Sequence, residues 1–311
     1  MGYVLSFLIA LGSAFGVFKG GWFSFFGALL AFGLHPTLDY LVGERKPGGL
    51  WGKILFHQPT ANFLLFLATP FSILFLGFSF YQFSIQPDMI SVAGNIFSTG
   101  VLLGVLAINT AHELVHRRKS WHRMFGLTNL TLVNFTWWKI AHVDLHHRHV
   151  STPLDAASSR KNEIVYAFWF RNFFVSVVDS CKFKPRLFLQ YFLFNIFFNF
   201  CVFYFFGMSV WIYSMLISVV SILMLLTVDY IEHYSLERKL TPAGTFEPVK
   251  HEHSWDCYYL LTNFTLFNLG YHAHHHWRAA VSFEQLLPQE KSPKMKYGYS
   301  LMMLRSLILK N

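Results

Sequence analysis

Apolar runs recur along this chain of 311 residues, and several reach the roughly 20 residues that a helix needs to cross a bilayer. Read in order, they predict six spans, at about residues 3–18, 21–41, 62–81, 89–111, 187–206 and 209–230. Composition agrees: 54% of the residues are hydrophobic and only 13% charged, whereas a soluble domain carries about a quarter charged. The chain reads as an all-α integral membrane protein, a single domain over residues 1–311.

The punctuation between the runs supports this division. Lys19 and the Gly20-Gly21 pair turn the first span into the second, and His35-Pro36 lies where the second kinks or ends. Residues 43–60 form a polar loop with Arg45, Lys46 and Lys53, and Pro87 with Asp88 precedes the fourth span. Pro185 opens the fifth span and Gly207 separates it from the sixth. No basic residue precedes the first apolar run, so it reads as a span and not as a signal peptide. Within the long non-spanning region 117–186, two apolar stretches at 121–138 and 164–178 read as helices lying at the membrane interface. Six spans put both termini on one side, together with every Lys and Arg except Lys19, and the positive-inside tendency makes that side cytoplasmic.

Three histidine clusters fall on the same side. They are HELVH (His112 and His116), HVDLHH (His142, His146 and His147) and HAHHH (His272, His275 and His276), with His233 in IEHYSL between the last two. Residues four apart on a helix face the same way, so His112 with His116, and His142 with His146, each present two rings to one point. His272, His275 and His276 repeat the pattern at i, i+3, i+4. Neutral imidazole suits iron, zinc, copper and nickel, and roughly six ligands fill one ion. Nine rings therefore imply two metals. The carboxylates Glu113, Asp144, Asp155, Asp229 and Glu232 are candidates to accept the outer N–H of metal-bound rings. Asp229, one turn before His233, is phased to reach it.

Other readings are weaker. HExxH is also the zinc-protease pattern, but an intramembrane protease leaves most of the clustered histidines without a task. A solvated or core histidine explains one or two positions, not four phased groups. His149, His251, His253 and His274 read as outer-sphere or solvated groups, and His35, His57 and His122 as structural. Cys181, Cys201 and Cys257 form no CxxC pair, so no disulfide framework, zinc knuckle or iron–sulfur site is indicated. Trp22, Phe25 and Phe32 on the second span either line a substrate channel or pack among helices and lipid; helix phase leaves both open.

HELVHR, HVDLHHRHVSTPLDAASSR, DYIEHYSLERK, HEHSW and HAHHH, with HPTLDYLVGE near the second span, resemble the AlkB-type alkane hydroxylases, within the membrane family of non-haem di-iron desaturases and hydroxylases. The resemblance runs over about residues 34–300. It implies six transmembrane helices with a cytoplasmic histidine-rich cap binding two iron ions. The ligands it implies are His112, His116, His142, His146, His147, His233, His272, His275 and His276. It further implies activation of dioxygen, insertion of one oxygen into an unactivated alkyl C–H bond and release of water. The family's EHYG is EHYS here, with Ser235, and the third box reads LGYHAHHH, a GYHxxHH form shared with desaturases. A fatty acyl desaturase, or another oxidative lipid-modifying di-iron enzyme, is thus the alternative. No nucleotide, haem or cysteine-cluster motif is present, so two electrons must come from a soluble donor, by resemblance a rubredoxin or ferredoxin with its reductase. The basic face would draw an acidic donor or, equally, anionic membrane lipid; no nucleic-acid partner is expected. The implied substrate is a hydrophobic alkyl chain drawn from the bilayer, and the implied location the bacterial inner membrane.

Overall fold

The computed structural model describes residues 2–44, 58–86 and 88–308. Arg45, Lys46, Lys53, His57 and Pro87 lie outside the described residues. The described chain is helical, with isolated bridges but no named strand. Helix α1 is Val4–Lys19, and α2, Gly21–Val42, follows directly. Next come α3 (Gln58–Ile85), α4 (Met89–His116) and α5 (Ser120–Leu132). The π-helical segment Ile140–His146 runs on into His147–His149 as α6. Then follow α7 (Val165–Phe183), α8 (Pro185–His233), α9 (Leu260–Thr265), α10 (His272–Trp277) and α11 (Tyr299–Ile308).

Four of these, α2, the stretch Ala61–Ile85 of α3, α4 and α8, are long and apolar enough to cross a membrane. Helix α1 is apolar but shorter, at 16 residues. The expected fifth and sixth spans are one helical element of 49 residues, broken at Gly207, where φ is 82°. That left-handed backbone costs a residue bearing a Cβ but not glycine, so the sequence marks the break. The regions expected to lie at the interface form α5, the turn leading into α6, and α7.

Local chemistry fixes the ends. Gly20, at φ 70°, stops α1, and Asp88 opens α4 by accepting from Ser91 N at 2.9 Å. Within the bundle, small residues let backbones approach. Gly100 of α4 faces Val220 of α8 so closely that an added Cβ would come within 2.5 Å of Val220 Cβ. Ser221 Oγ donates to Gly100 O at 2.9 Å across the same contact. At the other end of the molecule, Tyr3 stacks on Phe267 with ring centroids 5.4 Å apart and meets Phe283 edge-on, tying the start of the chain to the histidine-bearing cap.

Asp39 explains the HPTLDYLVGE stretch. Its carboxylate accepts from Leu261 N (3.0 Å), Thr262 N (3.1 Å) and Thr262 Oγ1 (2.5 Å). It therefore caps α9 from α2, supplying the acceptor that the first turn of a helix lacks.

Candidate metal centre

All nine sequence-nominated rings meet at one place, contributed by α4, α6, α8 and α10. Two convergent sets emerge: His112, His116, His142 and His275, and His146, His233, His272 and His276, with the ligand atoms of each set within 4.8 Å of one another. His147 Nε2 stands 3.2 Å from His142 Nε2 and 3.1 Å from His275 Nε2, beside the first set.

The partition differs from the expectation drawn from spacing. His142 and His146 share a face but not a point, because each goes to a different set. Likewise His275 separates from His272 and His276. Helix periodicity selects a face; how facing helices interleave decides the focus. The Ile140–His146 segment is moreover π-helical, a winding common at functional sites. Its wider turn carries His142, His146 and His147 toward the same centre.

The rings suit a cation. In the first set His116 Nε2 and His142 Nε2 are 3.0 Å apart, and in the second His272 Nε2 lies 3.1 Å from His233 Nε2 and 3.0 Å from His276 Nε2. His112 Nε2 is buried and meets no hydrogen-bonding partner among the described residues. Burial, reinforced by neighbouring imidazoles, drives His142, His147, His272, His275 and His276 well below the usual imidazole range. Neutral rings with converging nitrogen lone pairs are the donor set that first-row metals bind.

The candidate carboxylates have separate fates. Asp155 Oδ2 accepts from His146 Nδ1 at 2.8 Å, which directs His146 Nε2 inward. Burial pushes His146 down, but the Asp155 charge outweighs it and the net shift is upward. Asp229 accepts from Asn172 Nδ2 of α7 at 3.1 Å, while His233 Nδ1 is buried without a hydrogen-bonding partner among the described residues, so the i, i+4 bond anticipated between Asp229 and His233 does not form. Glu113 accepts from Arg117 Nε at 2.5 Å, Asp144 pairs with Lys184 at 2.8 Å, and neither serves a ring. Glu232 accepts from Tyr299 OH at 2.6 Å. Tyr299 and Asn172 were not nominated from the sequence, because their roles arise from tertiary contacts of α11 and α7.

Among the described residues, the other histidines join neither set. His253 Nδ1 accepts from Lys250 N (3.0 Å), His274 Nδ1 accepts from Leu287 N (2.9 Å), and His251 rests edge-on against Trp277. His35 bonds Thr265 Oγ1 at 2.9 Å.

An apolar cavity reaches three rings of the histidine cluster. Ile9, Phe32, Val105, Leu225 and Met303 line it together with His112, His142 and His272. Phe32 is therefore a cavity residue, whereas Trp22 is 77% exposed on the outer surface.

The comparisons with known proteins fit this geometry. Residues 90–296 match the family Fatty acid desaturase. The chain is 30% identical to alkane 1-monooxygenase 2 of Alcanivorax borkumensis over 295 residues, covering 89% of this chain and 77% of that one. The chain belongs to the alkane 1-monooxygenase family. A second member, alkane 1-monooxygenase 2 of Pseudomonas aeruginosa, is 30% identical over 297 residues, with 89% and 79% of the two chains covered. A more distant relative is the xylene/toluene monooxygenase hydroxylase component of Pseudomonas putida, 24% identical over 222 residues, with 67% and 59% covered. In this family Glu113 is no protease base. The ion pair of Glu113 with Arg117, the residue that follows α4, accords with that.

Proposed function

We propose that this protein is a membrane di-iron monooxygenase that hydroxylates an alkyl chain, an alkane or alkyl group, at its terminal carbon. The observation that carries the reading is the apolar cavity lined in part by His112, His142 and His272 of the two convergent histidine sets. A saturated chain has no polar handle, so an apolar channel that excludes water and orients a methyl group toward the metals suits it.

The nine histidines His112, His116, His142, His146, His147, His233, His272, His275 and His276 would hold two irons. When bound, the irons supply dioxygen activation. The protein's own share is geometric. Asp155 sets the tautomer of His146, and burial keeps the other rings neutral. Phe32, Leu225 and Met303 keep the chain dry. Two electrons come from a rubredoxin or ferredoxin with its reductase, drawn to the basic face. In this reading the whole chain is one domain with six crossings of the bacterial inner membrane, and the histidine cap and both termini face the cytoplasm. Substrate enters from the lipid.

The test is purified protein in nanodiscs, assayed for metal content and for products with a reduced donor, dioxygen and medium- to long-chain alkanes. About two irons per chain, as the ligand number argues, and terminal alcohols labelled from ¹⁸O₂ are expected. Alkenes from fatty acyl chains would replace this reading with the desaturase, and one zinc without iron would replace it with the protease.

A further inference from the structure

Glu232 stands where an additional ligand to the second metal site would be. It lies in the last turn of α8, beside His233, and is 2% exposed. Its Oε1 accepts from Tyr299 OH at 2.6 Å, while Oε2 lies 3.3 Å from His272 Nε2. That nitrogen is the inward one: it also faces His233 Nε2 at 3.1 Å and His276 Nε2 at 3.0 Å. The outward nitrogen, His272 Nδ1, is buried without a hydrogen-bonding partner among the described residues.

The contrast with Asp155 is informative. A carboxylate that only orients a ligating ring accepts the N–H pointing away from the metal, as Asp155 does with His146 Nδ1. Glu232 instead approaches the converging nitrogens. Donors about 2.0–2.2 Å from one ion and at right angles lie roughly 3 Å apart, close to the separation between Glu232 Oε2 and His272 Nε2. A buried carboxylate also needs a counter-charge. Among the described residues Glu232 forms no ion pair with a lysine or arginine; its one such contact is His272.

From these contacts we infer that Glu232 donates a carboxylate oxygen to the metal ion held by His146, His233, His272 and His276, with Tyr299 holding the other oxygen in place. The second site then has five protein donors, matching the five rings gathered when His147 joins the first set. Glu232 and His272 both line the apolar cavity, so the oxygen donor sits on the substrate side and the two sites are chemically unequal. The inference rests on the di-iron reading above.

The experiment compares the iron-loaded protein with Glu232→Gln and Tyr299→Phe by iron per chain, chelator competition and Mössbauer spectroscopy. In the parent, two ferrous doublets of different quadrupole splitting are expected. Glu232→Gln loses one iron, or binds it about tenfold or more weakly, with the other doublet unchanged. Tyr299→Phe keeps both irons and shifts the same doublet. Glu232→Gln with full iron, parental affinity and an unaltered spectrum overturns the proposal. If that variant does not fold, Tyr299→Phe decides: an unaltered spectrum overturns the proposal, and a shift confined to one doublet supports it. Failure of the parent to hold iron would instead overturn the di-iron reading.

Discussion

His146 Nδ1 and Asp155 Oδ2 are 2.8 Å apart and both residues are buried, so one ring of the second histidine set is fixed by a carboxylate nine positions further along the chain. Asp155 is itself braced, accepting from Ser158 Oγ at 2.6 Å and from Ala157 N at 3.1 Å. Burial pushes its carboxyl up, but the His146 charge and these hydrogen bonds hold it below the usual carboxylate range. Asp155→Asn leaves the shape and removes the charge that favours the inward lone pair of His146. Metal affinity at that site should fall about 10–100-fold, read by chelator competition. Unchanged affinity would show that packing alone orients the ring.

Asp39 couples the second helix to the cap through three hydrogen bonds to Leu261 and Thr262. Asp39→Ala strands the first turn of α9, which contributes Thr262 and Thr265 to the cavity wall. Hydrogen bonds to a charged group are each worth about 1.5–3 kcal/mol, so losing all three should cost at least about 4 kcal/mol, read as a lowered thermal midpoint in detergent. Asp39→Asn, which keeps one acceptor, should lose less. Equal losses would assign the effect to packing.

Much of the site was legible because metal binding requires many donors of one type, and clustered histidines at helical spacing survive as a pattern in one dimension. The division into two sets was not. It depends on which faces of α4, α6, α8 and α10 interlock, and on the π winding at Ile140–His146. Asp229 shows the same boundary: it stands one turn before His233, yet Asn172 from α7 takes its carboxylate. Tyr299 gives no hint at all in sequence, since it belongs to a short apolar helix far along the chain that becomes important only when α11 packs beside Glu232. The apolar runs specified the helices, while Gly207 alone announced a break within α8.

At Gly207 the left-handed backbone has open space around it, since an added Cβ would meet nothing within 4 Å. The cost of Gly207→Ala is therefore conformational, about 1–3 kcal/mol, without a clash. Thermal unfolding in detergent should show that loss, and Gly207→Asn should show one of similar size, because at φ 82°, ψ 175° only glycine is at ease. No loss with alanine would mean that the chain relaxes into a continuous helix there.

Asp256 gives a pH dependence whose sign can be worked out. Its Oδ1 accepts from Ala273 N at 2.8 Å, in the first turn of α10, and its Oδ2 accepts from Tyr258 OH at 3.1 Å. Burial raises its carboxyl from 3.8 to about 7, against these hydrogen bonds, which lower it. Between those values the folded protein keeps a proton that the unfolded chain has lost. Folding then takes up a proton, so this contribution to stability is present at low pH and is lost as pH rises through the window, with no further change above it. At about 1.4 kcal/mol per pKa unit, the loss is on the order of a few kcal/mol. Asp256→Asn has no proton to lose, so its thermal midpoint in detergent should fall less steeply than the parent's between about pH 4 and 7. The difference between the two curves isolates Asp256 from the many histidines that titrate nearby. Parallel curves would show that the Asp256 carboxyl is ionised throughout the folded state and that its hydrogen bonds overcome burial.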